Sequence, residues 1–357
     1  MAIERQRRRS NQSVTIRDVA AHAGVSPMTV SRVINRESNV RPETRELVHA
    51  AIRMLNYAPS PAARSLAGSV PCRIGLLYDN PSAGYLSELL LGALDESSRT
   101  GAQVLVERCG DSELAATALA KLLRTGIDGL ILTPPLCESE RVLAAVQQAG
   151  VVAVAVAAGH ASGRIATVRI DNEAAARDLA DYLLSLGHRR FGCIKGHPQH
   201  SGSQLRLQGF LGALAAAGIA ADSVRQEQGY FSYRSGLAAA ERLLAHEPHP
   251  TAIFAANDDM AAAAVALAHR LGFKVPEDVS IAGFDDTPIA ASVWPALTTI
   301  HQPVAAMASA AIDLVLEEVQ RQRAGTGTPR QLLHPHQLIV RESTGPAPAY
   351  GMASNAS

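Results

Sequence analysis

Short apolar segments recur along the chain from residue 72 onward, and this recurrence restricts the possible folds more than any other feature. The segments are CRIGLLY, AQVLVE, GIDGLILT, VVAVAVA, FGCIKG, TAIFAA and VSIAGF. Stretches with helical patterns separate them, and this alternation predicts parallel β-sheets that are covered by helices. Roughly 270 residues of such a pattern exceed a single sheet, so we expect two lobes.

Composition narrows the class of protein. With 47% hydrophobic and 18% charged residues over 357 positions, the chain can bury large cores and is not disordered overall. No apolar run reaches the roughly 18 residues of a membrane span, and the basic start MAIERQRRRS lacks the apolar stretch of a secretory signal. The four cysteines form no CxxC pair, which argues against a disulfide framework or a zinc site. We therefore expect a cytoplasmic protein without a metal and without a membrane partner.

The formal net charge of zero hides an uneven distribution. Residues 1–70 contain eleven Arg, no Lys and five acidic residues, which leaves about +6 on this segment. A compact basic segment joined to a larger acidic body indicates a head that binds a polyanion. A solvated charged surface is the alternative that charge alone leaves open.

The pattern of residues 15–55 predicts three helices. Thr15 is a suitable N-cap that Asp18 can support, Gly24 can end the first helix, and Ser26-Pro27 can start the second. The predicted buried positions are Ile16, Val19, Ala20, Ala23, Val30, Val33, Ile34, Leu47, Ala51, Met54 and Leu55. Two helices joined by a short glycine turn form a helix-turn-helix, whereas a generic three-helix bundle is the alternative.

The residues carry a resemblance to a known family. VTIRDVAAHAGVSPMTVSRVIN and the following RPETRELVHAAIRMLNYAPSPAARSLAG resemble the DNA-binding head of the lac repressor (LacI/GalR) family of transcription regulators. The motifs LSLGHRRFGCIKG, LRLQGF, FAANDDMA, VSIAGFDDT and PALTTIHQP extend the resemblance over nearly the whole chain. It implies an N-terminal all-α helix-turn-helix domain followed by an α/β, two-lobed, periplasmic-binding-protein-like effector domain with parallel sheets.

These observations together predict the domain boundaries. We expect a basic N-terminus at 1–13, the helix-turn-helix domain at 14–58, a hinge helix and linker at 59–70, and the effector domain at 71–345. Its first lobe would span about 71–168 plus 302–328, and its second lobe about 169–301 plus 329–345. The Gly-, Pro-, Ser- and Ala-rich residues 346–357 are predicted to be a disordered tail without a leucine heptad.

The resemblance places the second helix in the major groove of DNA. Arg32 is the main candidate for base recognition because a guanidinium can bind guanine bidentately, although a surface ion pair would also suit it. Pro27 and Met28 could recognise bases only by apolar contact. Phosphates would be held by the Thr15 hydroxyl, by the N-terminus of its helix, and by the side chains of Thr29, Ser31 and Asn35. The expected DNA-contacting residues are Thr15, Ser26, Pro27, Met28, Thr29, Ser31, Arg32, Asn35, Tyr57, Ala63 and Leu66.

The segment PSPAARSLAG at 59–68 resembles the hinge helix of the family. Helices below ~12 residues are marginal alone in water, and the family implies that two copies fold together on DNA. There Leu66 would wedge into the minor groove, and Ala63 would let the two helices approach closely. Ser60-Pro61 departs from the family pattern by placing a second proline in the first turn.

Ligands of open α/β sheets bind beyond the carboxyl ends of the strands. On the family pattern, Arg206 would clamp ligand hydroxyls or a carboxylate, Asn257 and Asp285 would pair with ring hydroxyls, and Phe231 would stack on the flat face of the ligand. Asn257 and Asp285 could equally be helix caps or turn residues. Where the family often has an acidic residue after the VVAVAV strand, this chain has AAGH, so His160 would take its place or the ligand would lack the matching group. The expected effector-binding residues are Asp79, Tyr85, Thr133, His160, Arg206, Phe231, Asn257, Asp285 and Gln302.

The sequence therefore predicts a ligand-responsive transcription repressor that acts as a homodimer on a pseudo-palindromic DNA operator. We expect a sugar-type inducer, with carbohydrate uptake or catabolism genes as targets and no cofactor. The alternative within the family is a purine or other small-molecule corepressor. A solute-binding protein is disfavoured by the helical head, and an enzyme by the absence of P-loop, GxSxG, HExxH and GxGxxG motifs.

Overall fold

The computed structural model of the protein describes residues 15–34, 40–55, 71–109, 114–245, 247–324 and 329–348. The chain divides into two compact units, Met1–Pro71 and Cys72–Ser357. The predicted basic N-terminus 1–13, the hinge helix 59–68, and residues Asn35, Tyr57, Ala63 and Leu66 lie outside the described residues.

The first unit contains a helix-turn-helix followed by a third helix. Helices α1 (Ile16–Ala23), α2 (Pro27–Ile34) and α3 (Pro42–Met54) surround one small apolar cluster. Its buried members are Val19, Ala20, Val30, Val33, Val48 and Ala51. The prediction that Leu47 and Met54 point inward is wrong, since both are exposed. The buried stripe of α3 runs through Val48, one position after Leu47, and through Ala51, which was predicted to be buried.

Local hydrogen bonds at the turn follow the sequence prediction. The Asp18 carboxylate accepts from the backbone amide of Thr15 at 2.8 Å, so the start of α1 is closed. Gly24 ends α1 with a φ of +68°, a conformation that glycine adopts at low cost. The Ser26 hydroxyl accepts from the amide of Thr29 at 3.1 Å and caps α2, whose first residue is Pro27.

The second unit contains a six-stranded parallel sheet that forms the core of the first lobe. Its strands, in spatial order, are β11 (Gln331–His334), β5 (Ala166–Ile170), β4 (Val152–Val156), β3 (Gly129–Leu132), β1 (Arg73–Tyr78) and β2 (Gln103–Arg108). Helices cover both faces of this sheet, as parallel sheets require. They are α4 (Ala83–Thr100), α5 (Ala115–Arg124), α6 (Glu140–Ala149) and α12 (Val304–Ala324).

A four-stranded parallel sheet forms the core of the second lobe. Its strands, in spatial order, are β7 (Arg225–Gln228), β6 (Phe191–Lys195), β8 (Ala252–Ala255) and β9 (Ser280–Ala282). The helices packed on it are α7 (Asn172–Ser185), α8 (Ser201–Ala216), α9 (Tyr233–Leu244) and α10 (Asp258–Arg270). The short helix α11 (Pro288–Ser292) and the antiparallel pair β10 (Thr299–His301) and β12 (Gln337–Ile339) complete this lobe.

The seven apolar segments of the sequence are all strands, which confirms the predicted parallel α/β architecture. The chain crosses between the lobes three times: after β5, after β10 and after β11. The predicted lobe division differs from the structure at residues 331–334. We placed this segment in the second lobe, but β11 pairs in parallel with β5 of the first sheet.

The folded second lobe also extends past residue 346, where the disordered tail was predicted to begin. The amide of Ala347 donates to the carbonyl of Leu186 at 2.9 Å, so this residue is bound to the end of α7. The carbonyl of Gly345 contacts Nε2 of the buried His188 at 3.1 Å. Residues 345–347 therefore belong to the folded second lobe.

Candidate functional site

The carboxyl ends of the two sheets face one narrow cleft, which we call the interlobe cleft. Its lining residues are Asn80, Tyr85, Thr133, Pro134, Ala157, His200, Gly202, Ser203, Arg206, Phe231, Asp285 and Gln302. The free volume of the cleft is about 40 Å³, which accommodates water molecules but no sugar or purine ring. A sugar or a purine can therefore enter this cleft only after the two lobes have moved apart.

Arg206 is the central polar group of the cleft. It lies on α8, is only 8% exposed, and its guanidinium stands 3.5 Å from the ring centroid of Phe284. Its Nε donates to Asn172 Oδ1 at 2.8 Å, and its Nη1 donates to the carbonyl of Ala256 at 2.7 Å and to Asp285 Oδ1 at 3.3 Å. The guanidinium is thus held in one orientation before any ligand binds.

Asp285 follows β9 and is buried beside Arg206. Its Oδ1 also accepts from Gln302 Nε2 at 2.7 Å. Burial raises the pKa of Asp285 to about 6, although Arg206 and the hydrogen bond from Gln302 both act to lower it. At neutral pH the carboxylate is therefore mainly ionised and paired with the guanidinium.

Thr133 supplies an unused hydrogen-bonding group on the opposite side of the cleft. It follows β3 and is 2% exposed, yet its hydroxyl has no hydrogen-bond partner among the described protein groups. A buried hydroxyl without a partner costs stability. This hydroxyl is therefore available to a ligand without breaking a hydrogen bond of the protein.

Aromatic rings form one wall of the cleft. The ring of Phe231 lies 5.2 Å from the ring of His200, centroid to centroid. A Cβ atom at Gly196 would lie 2.3 Å from the Phe231 ring, so only glycine allows the ring to take this position. Burial lowers the pKa of His200 to about 3, and His197 and Arg206 add to this shift. His200 therefore faces the cleft as a neutral ring.

Backbone strain is concentrated at the cleft. Among the described residues, four other than glycine have a positive φ: Ala157 at +61°, Phe231 at +56°, Asp285 at +108° and Asp286 at +56°. The first three line the cleft and the fourth adjoins it. Such conformations are costly and are typically retained where a ligand site requires them.

Hydrogen bonds join the two lobes near the cleft. The Glu138 carboxylate of the first lobe accepts from the Ser201 amide at the start of α8 at 3.0 Å, and it also accepts from the Ser201 hydroxyl. The amide of Gly159, also in the first lobe, donates to the Ser201 hydroxyl of the second lobe at 3.0 Å. At the start of α4, the Ser82 hydroxyl donates to Asp259 of the second lobe at 2.5 Å. These contacts hold the lobes in the closed arrangement.

Six of the nine predicted effector-binding residues line the interlobe cleft, and three do not. Asn257 instead caps α10: its Oδ1 accepts from the Met260 amide at 3.1 Å, and its Nδ2 donates to the Phe231 carbonyl at 3.1 Å. Asp79 is replaced in the lining by its neighbour Asn80, because the side chains of consecutive extended residues point in opposite directions. His160 lies on an exposed part of its loop, and Ala157 of the same loop contributes to the lining.

The sequence analysis missed several residues of the site. Ser203 could have been found because it precedes Arg206 by three residues on α8 and therefore shares its face. His200 was not among the predicted residues; it immediately precedes α8 as its N-cap and is buried. Asn172 holds Arg206 from α7, and no local pattern connects these two positions.

The predicted DNA-contacting residues that the structure describes lie at the turn of the head. Pro27, Met28 and Arg32 are exposed on α2, while Val30 and Val33 of the same helix are buried. Thr29 and Ser31 are half-buried, and Thr15 and Ser26 are exposed at the starts of α1 and α2. Helix α2 thus has an outward stripe that could enter a groove.

Neither a metal site nor a membrane-spanning helix is found among the described residues. Within the described ranges, no three His, Cys, Asp or Glu side chains converge in the way that metal ligands do. No helix of the described part of the chain is long and apolar enough to cross a membrane.

Comparisons with known proteins agree with this architecture. Residues 15–60 match the family described as bacterial regulatory proteins, lacI family, and residues 180–344 match a periplasmic binding protein-like domain. The chain is 33% identical over 339 residues to the HTH-type transcriptional repressor PurR of Klebsiella pneumoniae, and 36% identical over 343 residues to PurR of Yersinia enterocolitica. Each match covers 94% of this chain and 98% of the relative.

Solved structures of transcription regulators also match this chain over most of its length. The transcriptional regulator CelR in complex with cellobiose is 31% identical, with a TM-score of 0.70, over 92% of this chain and 99% of that chain. The lac repressor dimer bound to operator and the anti-inducer ONPF is 31% identical, also with a TM-score of 0.70, over 94% of this chain and 100% of that chain.

Proposed function

Because the chain belongs to the lacI family of DNA-binding transcriptional repressors, which are not enzymes, we propose that a polar small molecule in the interlobe cleft controls its affinity for operator DNA. The observation that carries this proposal is the buried polar cluster of Arg206, Asp285 and Gln302, which faces the unpartnered hydroxyl of Thr133. A ligand hydroxyl would supply the hydrogen bond that Thr133 lacks.

A sugar-type inducer is the effector that the lining favours. Sugars present hydroxyl groups at their edge and C–H groups on their faces. The polar side chains of Asn80, Thr133, Ser203 and Gln302 match such an edge, and the Phe231 ring matches such a face. The CelR structure in complex with cellobiose agrees with this choice.

A purine corepressor is the second candidate, and the relatives named PurR favour it. The neighbouring rings of His200 and Phe231 could stack on a planar heterocycle. The two candidates differ in the sign of the response, because an inducer weakens DNA binding and a corepressor strengthens it.

For the DNA-binding unit, we propose that two copies of the chain bind a pseudo-palindromic operator with α2 in the major groove. Arg32 would bind guanine, and the exposed Met28 would contact a thymine methyl group. The hinge residue Leu66 would wedge into the minor groove between the half-sites. The lac repressor dimer on its operator supports this arrangement by similarity.

Thermodynamic linkage would connect the two activities. An effector that binds one arrangement of the lobes better than the other shifts the equilibrium between them, and the hinge segments would respond to that shift. The coupling must be reciprocal, so operator DNA must change the effector affinity by the same factor.

The experiment that tests this proposal is a stability screen followed by a DNA-binding assay. Full-length protein is heated with free sugars and with purines, and a ligand at ~100 times its Kd should add about 2.7 kcal/mol of stability. Each hit is then added to the protein bound to a fluorescent operator fragment, and the anisotropy shows whether it acts as an inducer or a corepressor. Arg206→Ala should abolish the response, whereas Arg242→Ala on the exposed face of α9 should keep it. A hit that stabilises both variants equally would place its site elsewhere.

A further inference from the structure

The charges of the interlobe cleft are balanced. Among the described residues that line it, only Arg206 and Asp285 carry charge at neutral pH, and they form an ion pair at 3.3 Å. His200 is neutral because burial lowers its pKa to about 3, and Tyr85 is neutral because burial raises the pKa of its phenol. No unpaired cation lines the cleft within this part of the chain.

Most of the hydrogen-bonding capacity of Arg206 is already used. Asn172 and the carbonyl of Ala256 accept from its guanidinium, Asp285 accepts as the counter-ion, and the Phe284 ring lies against it. Three of the five N–H groups of an arginine are thus engaged by the protein. The two N–H groups on Nη2 are left for a ligand, and they can serve a hydroxyl or a carbonyl without disturbing the ion pair.

The groups behind the lining add acidic residues rather than basic ones. Asp258 and Asp259 lie at the start of α10. Both are close enough to Asp285 for electrostatic repulsion: the charge of Asp285 raises the pKa of Asp258, and the charge of Asp259 raises the pKa of Asp285. Burial raises the pKa of both Asp258 and Asp259. Glu138 closes the cleft from the first lobe through its hydrogen bonds to Ser201. An anion in the cleft would therefore meet a neutral or negative environment.

From this arrangement we infer that the cleft selects a neutral effector and excludes molecules that carry a phosphate or a carboxylate. This inference rests on the proposed function, because it assumes that the cleft is the effector site. An anionic ligand would be desolvated beside a cation that Asp285 already neutralises, and an unpaired buried charge is strongly unfavourable. The ion pair thus acts as a specificity element: it orients donors toward the ligand and offers no surplus charge.

Matched ligand pairs test the inference on the wild-type protein. Glucose and glucose 6-phosphate, ribose and ribose 5-phosphate, and inosine and inosine monophosphate are titrated into full-length protein at constant ionic strength. We expect every compound that binds to be the neutral member of its pair, with its phosphorylated partner at least ~100-fold weaker. A phosphorylated member that binds as tightly as its partner, and loses this affinity in Arg206→Ala, would overturn the inference.

A second experiment needs no knowledge of the effector, since inorganic sulfate is its probe. Gln302→Lys adds a cation to the lining while it keeps a donor beside Asp285. Asp285→Asn removes the counter-ion while it keeps an acceptor for Gln302, and asparagine tolerates a positive φ. We expect no saturable sulfate binding to the wild type and saturable sulfate binding to both variants. Gln204→Lys, the same substitution on the exposed face of α8, is the control and should gain nothing.

The two experiments separate the inference from the proposed function. If folded Gln302→Lys and Asp285→Asn proteins bind sulfate no better than the wild type, charge balance does not set the selectivity and the inference fails. If both variants gain sulfate binding but no small molecule alters the affinity for operator DNA, the charge selectivity of the cleft stands and the proposed effector control fails. Circular dichroism establishes that each variant is folded before it is titrated.

Discussion

His200 allows a quantitative prediction that does not depend on the identity of the effector. In the unfolded chain this side chain has an ordinary pKa of 6.5, and in the folded protein burial lowers it to about 3. Below pH 6.5 the unfolded chain therefore takes up a proton that the folded protein does not accept until about pH 3. The stability contribution of the neutral ring is fully present above pH 6.5 and is lost as the pH falls through this window.

The expected loss of stability follows from the difference between the pH and the pKa of His200 in the unfolded chain. At pH 5 the difference is 1.5 pH units, which corresponds to about 2 kcal/mol at 1.36 kcal/mol per unit, whereas at pH 7 the effect is close to zero. His200→Gln cannot titrate, so the unfolding free energy of the variant should fall by about 2 kcal/mol less than that of the wild type between pH 7 and pH 5.

Urea unfolding followed by circular dichroism at both pH values measures this difference on the full chain. His160→Gln, the same substitution on an exposed loop, is the control and should follow the wild-type profile. Parallel pH profiles of the wild type and His200→Gln would refute the assignment of His200 as a buried neutral ring.

Three further predictions concern the DNA-binding head, the cleft and the closed lobes. Arg32→Ala should lower operator affinity by ~1–3 kcal/mol and relax base preference at one position per half-site, which competition with point-mutated operators would detect. Thr133→Val should leave the effector-free protein as stable or more stable, because it removes an unpartnered buried hydroxyl, and should weaken effector binding in calorimetry. Glu138→Gln should favour the open lobes by about 1 kcal/mol, or roughly fivefold, since it weakens the hydrogen bonds that the Ser201 amide and hydroxyl donate to this side chain. X-ray scattering should then show a larger radius of gyration, and an unchanged radius would mean that these contacts do not hold the lobes.

The fold could be predicted because the sequence signals of its strands and helices are local and recur along the chain. Each apolar run identified a strand, and all of these strands except the edge strand β2 are largely buried. The head revealed its helices through caps and periodicity. The strands that escaped prediction lack this signal. Strand β7 has the sequence RQEQ and lies at the edge of its sheet, where half-exposed positions tolerate polar residues. Strand β11 was assigned to the wrong lobe because pairing with a distant strand leaves no mark in its own residues.

The site could be predicted only in part, since a strand end identifies a neighbourhood and not the direction of a side chain. Thr133 and Asp285 point into the cleft, whereas Asn257 follows its strand in the same way and caps a helix. A shift of one residue separates Asp79 from Asn80. Contacts between distant elements, such as that of Asn172 with Arg206, require the tertiary structure itself.

Because the chain crosses between the lobes three times, the order of synthesis on the ribosome affects how the lobes fold. Synthesis proceeds from the N-terminus, and domains that are continuous in sequence can fold as they emerge. Here the first lobe cannot complete its sheet until β11 is made, long after β5 has appeared, and by then the whole second sheet has been synthesised. The second lobe in turn waits for β12, which joins β10. Both lobes must therefore reach their final structure at nearly the same moment, with the edge of β5 exposed to wrong partners in the meantime.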